Sequence, residues 1–207
     1  MNARLVPGAP RPGGKVTGLL LAGGLGRRMS ADGQGIDKGL QSFRGRPMAE
    51  HVLERLRPQV DAVLVSANAN LDLWRAFGHP VLVDLLPGHA GPLAGLHAGL
   101  RAAATPRLAT VPCDSPFLPS DLVARLASAM DATGSQVAVA RTPARTHPVF
   151  LMAERSVLGH LEGFLETGRR RIDSWYGTLP HVEVEFPDED AFRNINTPDD
   201  LKAFEPR

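Results

Sequence analysis

Short apolar runs separated by amphipathic stretches set the strongest constraint on this chain. Residues 16–22, 62–66 (AVLVS), 81–83, 108–112 (LATVP) and 136–140 (QVAVA) are strand-length and rich in Val, Leu and Ala. They do not alternate apolar with polar, so they predict strands covered on both faces, as in a parallel sheet. Between them, residues 48–56 place Val52, Leu53 and Leu56 on one helical face. Residues 93–104 do the same with Leu93, Leu96 and Leu100, and residues 122–130 follow the start signal Pro119-Ser120-Asp121. Strand–helix–strand alternation of this kind predicts βαβ units in a doubly wound α/β sheet.

Beyond residue 140 the rhythm loosens. "HPVFLMAERSVLGHLEGFLETG" reads as a strand and then a helix stopped by Gly168. "FRNINTPDDLKAF" reads as a strand ending at Asn196, with Thr197 capping a short helix begun by Pro198. At 207 residues, one domain with a sizeable core is expected, since 43% of the residues are hydrophobic. Residues 1–14, "MNARLVPGAPRPGG", lack the apolar centre of a signal peptide and read as a disordered tail.

Composition excludes some classes. Lys and Arg total 23 against 22 Asp and Glu, which argues against a nucleic-acid binder working through bulk charge. No apolar run approaches the ~20 residues that span a bilayer, so no membrane partner is expected. The one cysteine, Cys113, cannot close a disulfide within the chain, and a cytoplasmic location is the simplest expectation. Its place beside a predicted strand suits packing better than nucleophilic or ligand chemistry. The seven histidines show no zinc spacing. His147, before Pro148, fits a turn as readily as a substrate contact. Arg169-Arg170-Arg171 fits either a solvated helix start or a second anion site.

The stretch Leu20-Leu21-Ala22-Gly23-Gly24-Leu25-Gly26-Arg27-Arg28 turns a buried strand into a glycine-rich, cationic loop. In open α/β sheets, ligands bind beyond the carboxyl ends of the strands, and glycines there let main-chain N–H groups approach an anion. Arg27, Arg28 and Lys38 add donors suited to phosphate oxygens. The stretch matches neither a Walker A loop nor G-x-G-x-x-G. Starting from Gly24 or Gly33, the sixth position is Met29 or Lys38. The residues by themselves therefore allow a polyphosphate cradle or an ordinary glycine turn with solvated arginines. The loop Leu86–Gly95 (LPGHAGPLAG) allows a second wrap around a ligand or a plain Pro/Gly connector. Asp114, in Val-Pro-Cys-Asp-Ser-Pro, follows a predicted buried strand. Its carboxylate suits Mg²⁺ shared with phosphate oxygens, or else a turn cap over Ser115-Pro116.

Taken together, "LLLAGGLGRRMS", "GIDKGL", "VLVSAN", "GPLAGL", "VPCDSPFLP" and "NINTPDDL" resemble the molybdenum cofactor guanylyltransferases, the MobA proteins, from about residue 16 to the end. The resemblance implies a Rossmann-like nucleotidyltransferase fold in a single domain over 15–207. Within it, 15–140 would bind GTP and 141–207 the second substrate. It implies transfer of GMP from GTP to the terminal phosphate of molybdenum-bound molybdopterin, with Mg²⁺ and release of pyrophosphate. Leu21, Ala22, Gly23 and Gly24 would hold GTP through the main chain. Lys38 would contact the nucleotide and Arg28 its phosphates. Asp84 resembles a GTP-binding aspartate, Asp114 would bind Mg²⁺ and GTP, and Asn194 and Asn196 would meet the pterin. Molybdoenzyme chaperones or cofactor-synthesis proteins would be partners.

Departures from the pattern are visible. Ser66 stands where the family often has asparagine, which implies a lost, weaker or water-mediated nucleotide contact. The stretch "SADGQGIDK" is longer than the usual link between arginine and lysine. A sister family that transfers CMP reads Leu-Ala-Ala-Gly in the first loop. Gly23 here lacks that methyl, which favours guanine, though one methyl is worth only about 1–3 kcal/mol of discrimination. Cytidylyl or sugar-phosphate transfer on the same fold, or a non-catalytic nucleotide-binding role, are the competing readings.

Overall fold

The computed structural model describes residues 14–22, 37–85, 91–197 and 200. Gly23, Gly24, Arg27, Arg28, Pro198 and residues 1–13 of the expected tail lie outside the described residues.

The chain opens with β1 (Val16–Leu21), then a 3-10 turn (Lys38–Leu40). A two-stranded ribbon follows, β2 (Ser42–Phe43) and β3 (Arg46–Pro47), and leads into α1 (Met48–Leu56). Next come β4 (Ala62–Ser66), α2 (Leu71–Arg75), β5 (Val81–Leu82), α3 (Pro92–Ala102) and β6 (Arg107–Pro112). The remainder is α4 (Leu122–Thr133), β7 (Val137–Arg141), β8 (Thr146–Glu154), α5 (Leu158–Glu166), α6 (Ile172–Tyr176) and β9 (His181–Glu185). The predicted strands and helices up to residue 140 all form, residues 48–56 and 62–66 with the expected bounds and the others with ends displaced by at most three residues. Helix α4 runs on to Thr133, where Gly134 at φ 66° takes the left-handed stop that a glycine adopts without strain.

One seven-stranded sheet, in the order β5-β4-β1-β6-β8-β7-β9, organises these elements. β5, β4, β1 and β6 are parallel, whereas β8 runs antiparallel to both β6 and β7. Successive side chains leave opposite faces of a strand, and both faces are covered. Leu20, Val63, Val65, Ala109 and Val111 pack with α1 and α4. Leu19, Leu108, Val137, Val139 and Leu151 pack with α3 and α5. This two-sided burial explains why the strands read as continuous apolar runs.

β8 belongs to the same sheet as β6, so the residues after 140 form no separate layer. The β7–β8 ladder jumps from Val139↔Leu151 to Ala140↔His147, across a stretch holding Pro148, which has no N–H to offer. The strand expected up to Asn196 does not form. Residues 193–197 run irregularly: Ile195 donates its N–H to the Asp114 carbonyl at 2.8 Å and joins no strand ladder among the described residues. Ile195 is instead buried in a small cluster with Phe43 and Met48. Thr197 does cap the following turn. Its Oγ1 accepts the Asp200 N–H at 3.1 Å, and the Asp200 carboxylate accepts the N–H groups of Asn196 and Thr197.

The 3-10 turn after β1 sits in a tight slot. A Cβ on Gly39 would lie 2.5 Å from the ring of Trp74 and 2.9 Å from the Cβ of Cys113, and Trp74 is fully buried. Overpacking of this kind costs about 1–3 kcal/mol. Gly39→Ala is therefore expected to lower the denaturant midpoint by a corresponding amount. An unchanged midpoint in urea would show that the slot is slack.

Candidate active site

Parallel pairing aligns three strand ends. Leu21, the last residue of β1, lies opposite Ser66 in β4 on one side and Pro112 in β6 on the other. The chain lays β4 and β5 to one side of β1 and then crosses to place β6 on the other. The gap beyond β1 and β6 is thus the point where strand order reverses, where open sheets leave a crevice. A cavity of about 420 Å³ opens there, lined by Leu21, Lys38, Ser66, Asn68, Asp84 and Asp114 among others. That is large enough for a small ligand.

One wall carries the charged chemistry. The β1–β6 ladder continues past the strand through Cys113 N–H to the Leu21 carbonyl at 3.0 Å, which fixes the position of the next residue, Asp114. The Asp114 side chain is largely buried, and its Oδ2 lies 3.4 Å from Lys38 Nζ. Burial raises the Asp114 carboxyl above its usual 3.8, and the Lys38 ammonium opposes that rise. Its Oδ1 has no hydrogen-bond partner among the described residues. Lys38 also donates to Asn196 Oδ1, and Ser115 Oγ donates to Asn194 Oδ1 at 2.9 Å. Three distant segments, around residues 38, 114 and 195, therefore meet in one network.

The opposite wall is neutral to acidic. Asn68 and Asp84 bond twice: Asn68 Nδ2 donates to Asp84 Oδ2 at 2.7 Å, and Asp84 N–H donates to Asn68 Oδ1 at 2.9 Å. The pair ties the tips of β4 and β5 together. Gly95 lets α3 approach closely, since a Cβ there would lie 2.5 Å from Leu21 Cδ2 and 2.7 Å from Ser66 Oγ. Asn68 is not among the site residues expected above. Its signal was its place two residues beyond a strand end, on the crevice side.

The structure thus brings Leu21, Lys38, Ser66, Asp84, Asp114 and Asn194 to one cavity, with Asn196 bonded to Lys38 at its edge. Ala22 stands apart. Its N–H donates to the Ser66 carbonyl at 2.8 Å, so this amide is committed to the sheet. Gly23, Gly24 and Arg28 lie outside the described residues. Burial pushes the Cys113 thiol up, reinforced by the Asp114 and Asp37 carboxylates, so it stays a protonated packing group. Among the described residues no cluster of three His, Cys, Asp or Glu side chains gathers. A cation at this site would share one carboxylate and take its other oxygens from ligand and water, as Mg²⁺ does beside phosphates. Asp114, with a cavity-lining carboxylate and an unpartnered oxygen, fits that demand.

Against known proteins, residues 18–182 match the family described as "MobA-like NTP transferase domain". The chain belongs to this family. It is 49% identical over 197 residues to a protein of Cupriavidus taiwanensis named molybdenum cofactor guanylyltransferase, covering 93% of this chain and 97% of that one. A Bordetella petrii protein of the same name is 50% identical over 186 residues, covering 88% and 93%. Among solved structures, molybdopterin-guanine dinucleotide biosynthesis protein A from Archaeoglobus fulgidus superposes with a TM-score of 0.71. It is 25% identical and covers 90% of this chain and 95% of that one.

Two sequence candidates fall away from the cavity. The arginine run is engaged locally. Arg169 lies over the Phe164 ring at 4.7 Å, Arg170 donates to the Leu165 carbonyl at 2.7 Å, and Arg171 pairs with Asp173 at 2.5 Å. His147 is not in a turn. It is buried in β8, stacked on Phe192 at 4.7 Å between ring centres, with its Nε2 3.0 Å from Thr142 Oγ1.

Burial holds the His147 imidazole below its usual 6.5, with Arg145 adding to the effect. The unfolded chain thus takes up this proton first as pH falls. The stability His147 contributes is complete above pH 6.5 and is lost as pH drops through its lowered folded value. Urea midpoints measured at pH 8 and at pH 5 are expected to fall less in His147→Phe than in the parent. An equal fall in both would rule out this histidine as a source of acid sensitivity.

Proposed function

We propose that this chain transfers the guanylyl group of GTP to the terminal phosphate of molybdenum-bound molybdopterin. The observation that carries this reading is the Lys38–Asp114 pair, 3.4 Å apart at the cavity wall, at the strand-order switch of a MobA-like transferase. The names of the relatives support the choice of substrates.

The reaction needs little proton chemistry. An anionic phosphate oxygen of the acceptor attacks the α-phosphorus of GTP. The bond from that phosphorus to the β-bridging oxygen breaks, and pyrophosphate leaves with the electron pair. The work lies in bringing two anions together and offsetting charge. Asp114 would hold Mg²⁺, which supplies cationic charge to the phosphate oxygens when bound. Lys38, on the same wall, would offset charge on those oxygens, the task that the resemblance also gives to Arg28. Because the Ala22 amide is spent on the sheet, a main-chain cradle draws on Gly23 and Gly24. Leu21 and Ser66 form the floor. Asp84, oriented by Asn68, presents acceptors to the nucleoside. Asn194 and Asn196 border the place where the pterin phosphate enters, from the side of Ser115 and Lys38.

Losing one preorganised charged group typically costs about 10²–10³ in rate. Asp114→Asn is expected to lose at least that much turnover while its circular dichroism stays that of the parent. Full activity in a folded variant would remove the metal role. Calorimetry with GTP, CTP and UTP, each with Mg²⁺, tests the base: GTP should bind most tightly, and tighter CTP binding would overturn the guanine assignment. Mass spectrometry of the product from molybdenum-molybdopterin and GTP should show the added guanylyl mass.

A further inference from the structure

The chemistry above uses Lys38 but not the acid next to it. Asp37 is largely buried. Its Oδ2 accepts the Trp74 indole N–H at 2.8 Å and an Asn70 amide N–H at 3.4 Å. Its Oδ1 is buried with no hydrogen-bond partner among the described residues. Burial raises this carboxyl above its usual 3.8, against the pull of the indole and amide donors. A buried acid with an unmet oxygen costs stability. The group therefore calls for an explanation beyond packing.

Its surroundings supply one. Trp74 is fully buried, lies 5.5 Å from the Phe77 ring, and presses on Gly39, the residue after Lys38. Cys113, the residue before Asp114, crowds the same face of Gly39. Asn70 turns toward Asp37 from a left-handed conformation at φ 53°. Within the turn itself, Leu40 N–H bonds the Asp37 carbonyl and Gln41 N–H the Lys38 carbonyl, each at 3.1 Å. The turn that carries Lys38 is thus packed at Gly39 against both Trp74 of α2 and Cys113 at the end of β6, with Asp37 as the polar pin.

We propose that Asp37 is the positioning residue of Lys38: its carboxylate, gripped by the Trp74 indole, fixes the turn from which the ammonium reaches Asp114 and the triphosphate. This rests on the nucleotide role given to Lys38 above. Asp37 touches no substrate and acts only through its neighbour.

The test compares Asp37→Ala, Asp37→Asn, Lys38→Ala and the double variant Asp37→Ala/Lys38→Ala. It measures kcat and KM for GTP, together with GTP–Mg²⁺ affinity by calorimetry. A displacement of about 1 Å in a reacting group costs on the order of 10²-fold, so Asp37→Ala should lower kcat/KM for GTP by that order. Asp37→Asn, which keeps an oxygen for the indole, should recover most of it. The double variant should be no worse than Lys38→Ala alone, because the two residues act as one unit. An independent readout is the indole N–H resonance of Trp74. It should lie downfield of that of Trp175, whose indole nitrogen has no partner among the described residues, and should move upfield in Asp37→Ala. If Asp37→Ala does not fold, Trp74→Phe removes the same hydrogen bond and keeps an aromatic ring, and it enters the same comparison. Losses that multiply in the double variant, or parental kcat/KM in Asp37→Ala, overturn the proposal. Parental kcat/KM and GTP affinity in Lys38→Ala would instead overturn the reading on which it rests.

Discussion

The main-chain ladder that fastens β1 between β4 and β6 is the interaction on which the rest depends. It sets Leu21 level with Ser66 and Pro112, and it carries one bond further, from Cys113 to Leu21. Because parallel strands end on the same side, everything that follows them is delivered to one crevice. Asp114 and Asn68 owe their places to that alignment rather than to any contact with each other. The hydrophobic layers on either face keep it rigid, with α1 and α4 on one side and α3 and α5 on the other.

The charged wall is assembled differently. Lys38, Asp114 and Asn196 are separated by 76 and 158 positions in sequence from the lysine outward, yet they share one network. A lysine opposite a single buried acid is a modest electrostatic unit in open water. At a partly buried strand tip it becomes a fixed element, because neither charge can relax far. Two devices make the approach possible: a glycine where Trp74 and Cys113 leave no room for a side chain, and a second glycine where α3 closes on Leu21 and Ser66.

Much of this was legible in the sequence. Continuous Val/Leu/Ala runs carry the signature of strands buried on both faces, and the parallel core follows from them. Asp114, at a strand end, was readable because position after a strand fixes position in space, whereas Asp84 came only from the family resemblance. The order of the last strands was not readable, since nothing in "THPVFLMAE" says that it inserts between β6 and β7 in the opposite direction. The end of the chain misled for a related reason. "RNIN" has the look of a strand, but a strand exists only through its neighbours, and Ile195 finds a hydrophobic slot beside Phe43 instead. His147 was similarly opaque, as its burial comes from Phe192, far along the chain. Asn68 shows the converse case, a residue in plain view whose importance emerges only once β5 brings Asp84 beside it.

The docking of Ile195 on Asp114 has a consequence for how the molecule comes into being. The sheet's parallel half is complete in sequence by residue 112, while the polar rim of the crevice waits for residues 194–196. The strands that set the crevice and the residues that close its rim are therefore supplied by widely separated parts of the chain. A chain cut short before residue 194 would lack the bonds from Asn194 to Ser115 and from Asn196 to Lys38 that finish the charged wall.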